Sequence, residues 1–158
     1  MVKKFKDHPE FTPDFTPKQI FQQGSFGGTY FRDIHSNVTN KNYTNSKDEF
    51  PKSWFKGVTV DSKVCDKKLN KYKTTSGSSL RFWEKKGWIK EQDPYGWIQW
   101  YCRFYKGRRS KDDDRQIKRW QGVAGPDGRF KKWLETMRSK GKNSLKIQQL
   151  LLQWGVDS

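Results

Sequence analysis

Apolar side chains recur every three or four residues from residue 79 onward, which is the spacing of helices with one buried face. Ser79 and Asp93 are placed to cap two of these helices, and Gly87 and Gly107 are placed to end them. Helices are therefore predicted over SLRFWEKKGW, DPYGWIQWYCRFYKG (with Pro94 in its first position), SKDDDRQIKRWQG, DGRFKKWLETMRSKG and NSLKIQQLLLQWG.

The last two of these helices carry clear apolar stripes, which we expect to pack into the core rather than to line a ligand site. The stripes consist of Phe130, Trp133, Leu134 and Met137, followed by Ile147, Leu150, Leu151 and Trp154.

The helix predicted over residues 94–107 is apolar around most of its circumference, since its polar positions reduce to a narrow stripe of Gln99, Arg103 and Lys106. Such a helix belongs in the centre of a domain. Its rings should therefore be core, and the hydroxyls of Tyr101 and Tyr105 should need a hydrogen-bond partner or water.

The N-terminal half shows weaker patterns. Residues 1–15 are interpreted as a basic, flexible arm, and FTPKQIFQQG as a short helix capped by Thr16, with Pro17 in its first turn and Gly24 at its end. A short strand is predicted over 29–34, and an exposed loop over the Asn- and Ser-rich residues 35–50. At most two or three further short strands are expected within FPKSWFKGVTV and NKYKTTSGSS.

These patterns together predict an α+β protein that is mainly α. Residues 16–158 should form a single domain, with a small, irregular, loop-rich part containing short strands over 16–78. A bundle of about four to five helices is expected over 79–158.

Composition points to a compact, ring-rich core, because aromatic residues make up 16% of the chain and hydrophobic residues as a whole only 32%. The formal net charge is +16, which favours a polyanionic partner. Nucleic acid, either DNA or RNA, is the first expectation. The charge is uneven: residues 103–146 contain 15 Lys and Arg against 5 Asp and Glu, so +10 of the excess lies there.

The leading hypothesis is that this basic helical face binds the phosphate backbone without choosing a base sequence. Residues 111–121 resemble a recognition helix in outline, because a short turn joins them to the preceding helix. The hypothesis requires that the cations face outward and are not neutralised by the chain's own acids. The predicted contacts are Arg103, Arg108, Arg109, Arg115, Lys118, Arg119, Lys131 and Lys132, with Arg138, Lys140 and Lys142 extending the surface.

A second hypothesis is an enzyme that acts on nucleic acid or a nucleotide, in which the weak catalytic candidates Asp113, Glu84 and Tyr101 share a pocket with arginines. Ordinary helix capping also explains the three aspartates, since Ser110 and Asp113 have capping-box spacing. Both histidines fall in predicted loop or arm segments, which argues against His-based catalysis. An enzyme is the less favoured interpretation. A third hypothesis is a packaging or scaffold protein with the same electrostatics.

No Cys/His spacing indicates a zinc site, and no pattern indicates another cofactor. The two cysteines leave one disulfide possible, although Cys102 fits a small buried thiol better than a partner for Cys65. The chain shows no apolar segment typical of a signal peptide or a membrane span, so we expect an intracellular protein, in cytoplasm or nucleus, that does not bind membranes.

Six short motifs occur together within roughly residues 20–154: FPKSWF, GWI, DPYGW, WYCRFY, GRR and RQIKRW. The chain resembles a family of uncharacterised proteins that share these elements. The resemblance implies one domain over most of the chain, and it implies no activity, cofactor or binding residue.

Overall fold

The computed structural model describes residues 4–158. Its helices are α1 (Pro17–Gln22), α2 (Leu80–Lys85), α3 (Trp97–Tyr105), α4 (Asp113–Ala124), α5 (Arg129–Ser139) and α6 (Leu145–Gln153). Strands β1 (Ile34–Ser36) and β2 (Lys41–Tyr43) form an antiparallel pair, in which His35 lies opposite Asn42. Short 3-10 turns cover Ser46–Glu49, Lys52–Phe55 and Lys67–Leu69. The expectation of a mainly α, α+β fold with a helical C-terminal half is confirmed.

Helix α3 is the centre of the molecule. Trp97, Ile98, Trp100, Tyr101, Cys102 and Phe104 are all buried, as the apolar pattern predicted. The Tyr101 hydroxyl donates to the Phe15 carbonyl oxygen at 2.7 Å. The indole N–H of Trp100 donates to Asp113 at 2.8 Å, so that the polar atom of each of these two rings is satisfied inside the core.

Residues 4–15, the described part of the predicted flexible arm, pack against this helix. Phe5 is buried and Phe11 is fully buried, with its ring edge-on to those of Trp97, Tyr101 and Trp120. These residues therefore form one side of the core, whereas a flexible arm was expected. Residues 1–3 of that prediction lie outside the described residues.

Two of the predicted N-caps, Thr16 and Ser79, are confirmed, and Ser144 caps a third helix in the same way. Thr16 and Gln19 form a complete capping box at α1, and the hydroxyls of Ser79 and Ser144 cap α2 and α6. Helix α3 begins later than predicted: Asp93 does not cap it, and Gly96 stands at the cap position with a φ of +96°. A Cβ at Gly96 would also lie 2.8 Å from the Ile89 side chain, so that this entry to α3 requires glycine.

The strand predictions were largely wrong. Residues 29–33 form turns rather than a strand, and the hairpin of β1 and β2 lies inside the predicted loop except for Ile34, the last residue of the predicted strand. The segments 50–60 and 70–79 contain 3-10 and irregular structure but no strand. The glycine turn before residue 29 packs against residues 65–71, where a Cβ at Gly24 would meet the Leu69 carbonyl oxygen at 2.1 Å. That close approach makes the turn a packing element.

Candidate nucleic-acid interface

Two arginines of the predicted binding face are held by acids of the same chain. Arg103 makes two hydrogen bonds to Glu49, of 2.7 and 2.8 Å, and one of 3.0 Å to Asp93. Both terminal nitrogens of Arg108 donate hydrogen bonds to the Asp93 carboxylate, at 2.6 and 2.8 Å. Asp93 is only 1% exposed, and the contact with Arg103 holds the pKa of Glu49 below its usual value. This network ties α3 to the turn that precedes it.

Two more arginines of that face are paired in the same way. Arg109 binds Asp7 at 2.6 Å and lies 3.7 Å over the ring of Phe104, and Arg115 makes two bonds, of 2.5 and 2.8 Å, to Asp112. The hydrogen bond from Arg109 lowers the pKa of Asp7. A guanidinium that already binds a carboxylate has few donors left for phosphate, so these four arginines are poor candidates for the main phosphate contacts.

The candidate catalytic residues are not brought together. Asp113 is buried and accepts hydrogen bonds from Trp100, the Ser110 amide and the Ser110 hydroxyl, each at 2.8 Å. Glu84 accepts from the Asn37 amide at 2.9 Å and from an arginine on α2, whereas Tyr101 is bound to the Phe15 carbonyl. Each of the three has a separate structural partner.

A large cleft lies elsewhere, between α2, α4, α5 and α6. Its volume is about 1450 Å³. Trp133 and Trp88 line it and remain 58% and 38% exposed, which is unusual for rings of this size. Phe130 stacks beside Trp133 with centroids 6.0 Å apart, and Trp154 stacks on the core ring of Trp97 at 4.6 Å. The cleft therefore combines exposed rings with others that are fixed against the core.

The charged residues that line the cleft are all basic. No Asp or Glu is found among the described residues that line it. Two of the cations, Arg32 and Lys63, come from the N-terminal half. The helical half supplies Lys118, Arg119, Arg129, Lys140, Lys142 and Lys146.

Arg119 differs from the other arginines discussed. Its guanidinium lies 5.5 Å from the ring centroids of both Trp88 and Trp154, and it donates to the Gln116 side chain at 2.9 Å. Burial, with a smaller effect from nearby Arg115, lowers the pKa of Arg119 to about 10. It remains charged at neutral pH, in surroundings that favour its charge less than water does.

The cleft includes only part of what the sequence predicted. Of the eight residues proposed to contact nucleic acid, Lys118 and Arg119 line it, whereas Lys131 and Lys132 are elsewhere on α5. The apolar stripes are also core only in part: Leu134 is buried, but Trp133 is exposed in the cleft. One feature of the sequence indicates the cleft: residues 137–156 contain several lysines and no Asp or Glu.

Residues 4–158 contain no group of three or more His, Cys, Asp or Glu side chains placed to hold a metal ion. Cys65 is exposed and Cys102 is buried, and both are free thiols. In the same residues, no helix combines the length and apolar character that crossing a bilayer demands.

Comparisons with protein-family models, with curated proteins and with solved structures found no match to this chain. The motif resemblance gains no support from them.

Proposed function

We propose that the protein binds single-stranded nucleic acid in the cleft, with bases stacked on exposed aromatic rings and phosphates paired with the surrounding cations. The observation that carries this proposal is the coincidence, in one cleft, of exposed tryptophans with eight Lys and Arg, and with no Asp or Glu among the described residues that line it. Rings that accept any base, combined with a basic groove, are the usual means of binding single strands.

The size of the cleft favours a chain-like ligand. Small-molecule pockets commonly measure about 300–1,000 Å³. A cleft of about 1450 Å³ exceeds that range and accommodates more than one nucleotide unit. A strand with several phosphates also matches the several cations better than a single small anion does.

The overall charge supports the same class of ligand. Each ion pair removes one cation and one acid from the balance, so pairing leaves the net charge of +16 unchanged. The excess must therefore reside on cations outside the pairs, and those that line the cleft belong to this group. A polyanion compensates such an excess.

The proposal is tested by replacing a stacking ring. Trp133→Ala should weaken binding of a fluorescent 12-nucleotide oligothymidylate by roughly 5- to 150-fold, since stacking of one base is worth about 1–3 kcal/mol. Fold stability should change little, because Trp133 is 58% exposed. Leu145→Ala is the matched control: Leu145 is 53% exposed at the start of α6 and does not line the cleft.

Fluorescence anisotropy at 50 mM salt gives the affinities. The proposal fails if the unmodified protein shows no binding below about 100 µM, the range of ordinary non-specific binding. It also fails if both variants lose affinity equally. The packaging hypothesis would instead be favoured if the number of protein molecules bound per strand rose in proportion to strand length and Trp133→Ala did not affect binding.

A further inference from the structure

We infer that Arg119 and Lys118 form a phosphate subsite inside the cleft, which fixes one phosphate group of the bound nucleic acid. This inference rests on the proposed function and adds to it a specific position for the phosphate. The shared chemistry is a phosphate oxygen, supplied either by a terminal phosphate or by an internal phosphodiester.

The contrast with the neighbouring arginines is the first support. Arg103, Arg108, Arg109 and Arg115 each grip a carboxylate at 3.0 Å or less. Among residues 4–158, no carboxylate oxygen lies within the 4.0 Å ion-pair distance of Arg119.

The surroundings of Arg119 supply the second support. Its two aromatic neighbours and Gln116 orient the guanidinium without neutralising it. Partial burial removes water from the charge, so a phosphate oxygen that replaced this water would gain a charge-assisted hydrogen bond. A planar guanidinium held in one orientation is suited to two parallel bonds to such a group.

The position of Lys118 is the third support. Lys118 is exposed, lines the cleft beside Arg119 and makes no ion pair with the acids of residues 4–158. A mobile ammonium next to an oriented guanidinium provides two different donors for the oxygens of a single phosphate. Both cations project from α4, which is anchored to the core by Ile117 and Trp120. The subsite therefore has a fixed base.

The experiment compares thymidine with thymidine 5′-monophosphate, whose affinities are measured by quenching of tryptophan fluorescence at constant ionic strength. The unmodified protein should bind the phosphorylated form at least about tenfold more tightly, since bonds to charged groups contribute about 1.5–3 kcal/mol each. Arg119→Gln should reduce this preference to below about threefold. Arg138→Gln, which removes a cation outside the cleft, should retain it.

A second variant covers a failure of Arg119→Gln to fold, judged by its thermal unfolding. Arg119→Lys keeps the charge but loses the planar fork, and it should lower the preference by at least about threefold. Equal binding of the two probes by the unmodified protein would overturn the subsite. So would a preference that survives both substitutions at Arg119.

The two proposals fail in different ways. Oligothymidylate binding that depends on Trp133, without a phosphate preference that depends on Arg119, overturns the subsite and leaves the strand proposal standing. A preference for the monophosphate that depends on Arg119, without strand binding, overturns the strand proposal and leaves the phosphate subsite standing. A 12-nucleotide strand with and without a 5′-phosphate then distinguishes the two sources of the phosphate. If the phosphorylated strand binds more tightly and Arg119→Gln removes this difference, the subsite holds a terminal phosphate. Equal affinities of the two strands assign the subsite to an internal phosphodiester.

Discussion

Replacing Lys140 and Lys142 with glutamine removes two of the cations that line the cleft and should leave the core intact, because both residues are exposed just beyond α5. If both cations contact phosphates of a bound strand, the double variant should bind more weakly and depend less on salt. Phosphate contacts release condensed counterions, and added salt opposes that release.

The magnitude follows from the number of contacts removed. For single strands, the slope of log affinity against log salt is about −0.7 per phosphate neutralised. Two lost contacts should therefore make the slope less steep by about 1.4. Between 50 and 200 mM salt, both proteins should lose affinity, and the factor lost by the unmodified protein should be about seven times the factor lost by the double variant.

Fluorescence anisotropy with oligothymidylate over this salt range measures the slopes directly. The matched control is Lys52→Gln with Lys56→Gln, which removes the same charge from exposed positions that do not line the cleft. An unchanged slope in the cleft variant would refute the placement of phosphates there. An equal change in the control would show that net charge, rather than position, governs binding.

Two further predictions concern stability. Asp93→Ala should lower the free energy of unfolding by about 3 kcal/mol in urea titrations, because it leaves Arg108 partly buried without its carboxylate. Glu135→Ala, at an exposed position in the middle of α5, should change it by less than about 0.5 kcal/mol, and equal losses would contradict this account. Burial also raises the pKa of the Cys102 thiol well above its ordinary value of 9.0. Above that pH the unfolded chain therefore holds fewer protons than the native one, and stability should decline by up to about 1.4 kcal/mol per pH unit from this group. Cys102→Ala should reduce the decline between pH 9 and 10 and leave the part that the buried tyrosines contribute, and an unaltered profile would disprove it.

The helix starts that are predictable from sequence are those that neighbouring residues set. Thr16 and Gln19 bond to each other's backbone, and Ser79 and Ser144 bond to amides three residues away. Asp93 had an equally good capping position, yet it pairs with Arg108 fifteen residues later. Sequence spacing contains no information about that competition, because the fold alone brings the two groups together.

The cleft could not be predicted from the sequence for a related reason. Its residues come from positions between 26 and 154, and no local pattern joins them. Helix α5 shows how the stripe argument failed. Leu134 and Trp133 both belong to its apolar stripe, but neighbouring helices cover only Leu134. An apolar position in a helix predicts contact with something apolar, and for Trp133 we propose that the contact is a base rather than the core.

The insertion of Phe11 beside α3 has a consequence for how the protein is made. Phe11 contacts Trp120, and the amides of Asp14 and Phe15 donate to the carbonyl oxygen of Gly155 at 2.8 and 3.0 Å. These contacts close a loop over nearly the whole sequence, and such loops are entropically costly and slow to form. On a translating ribosome, the hydrophobic interior thus stays incomplete until residue 155 has emerged, and its exposed rings must avoid aggregation until then.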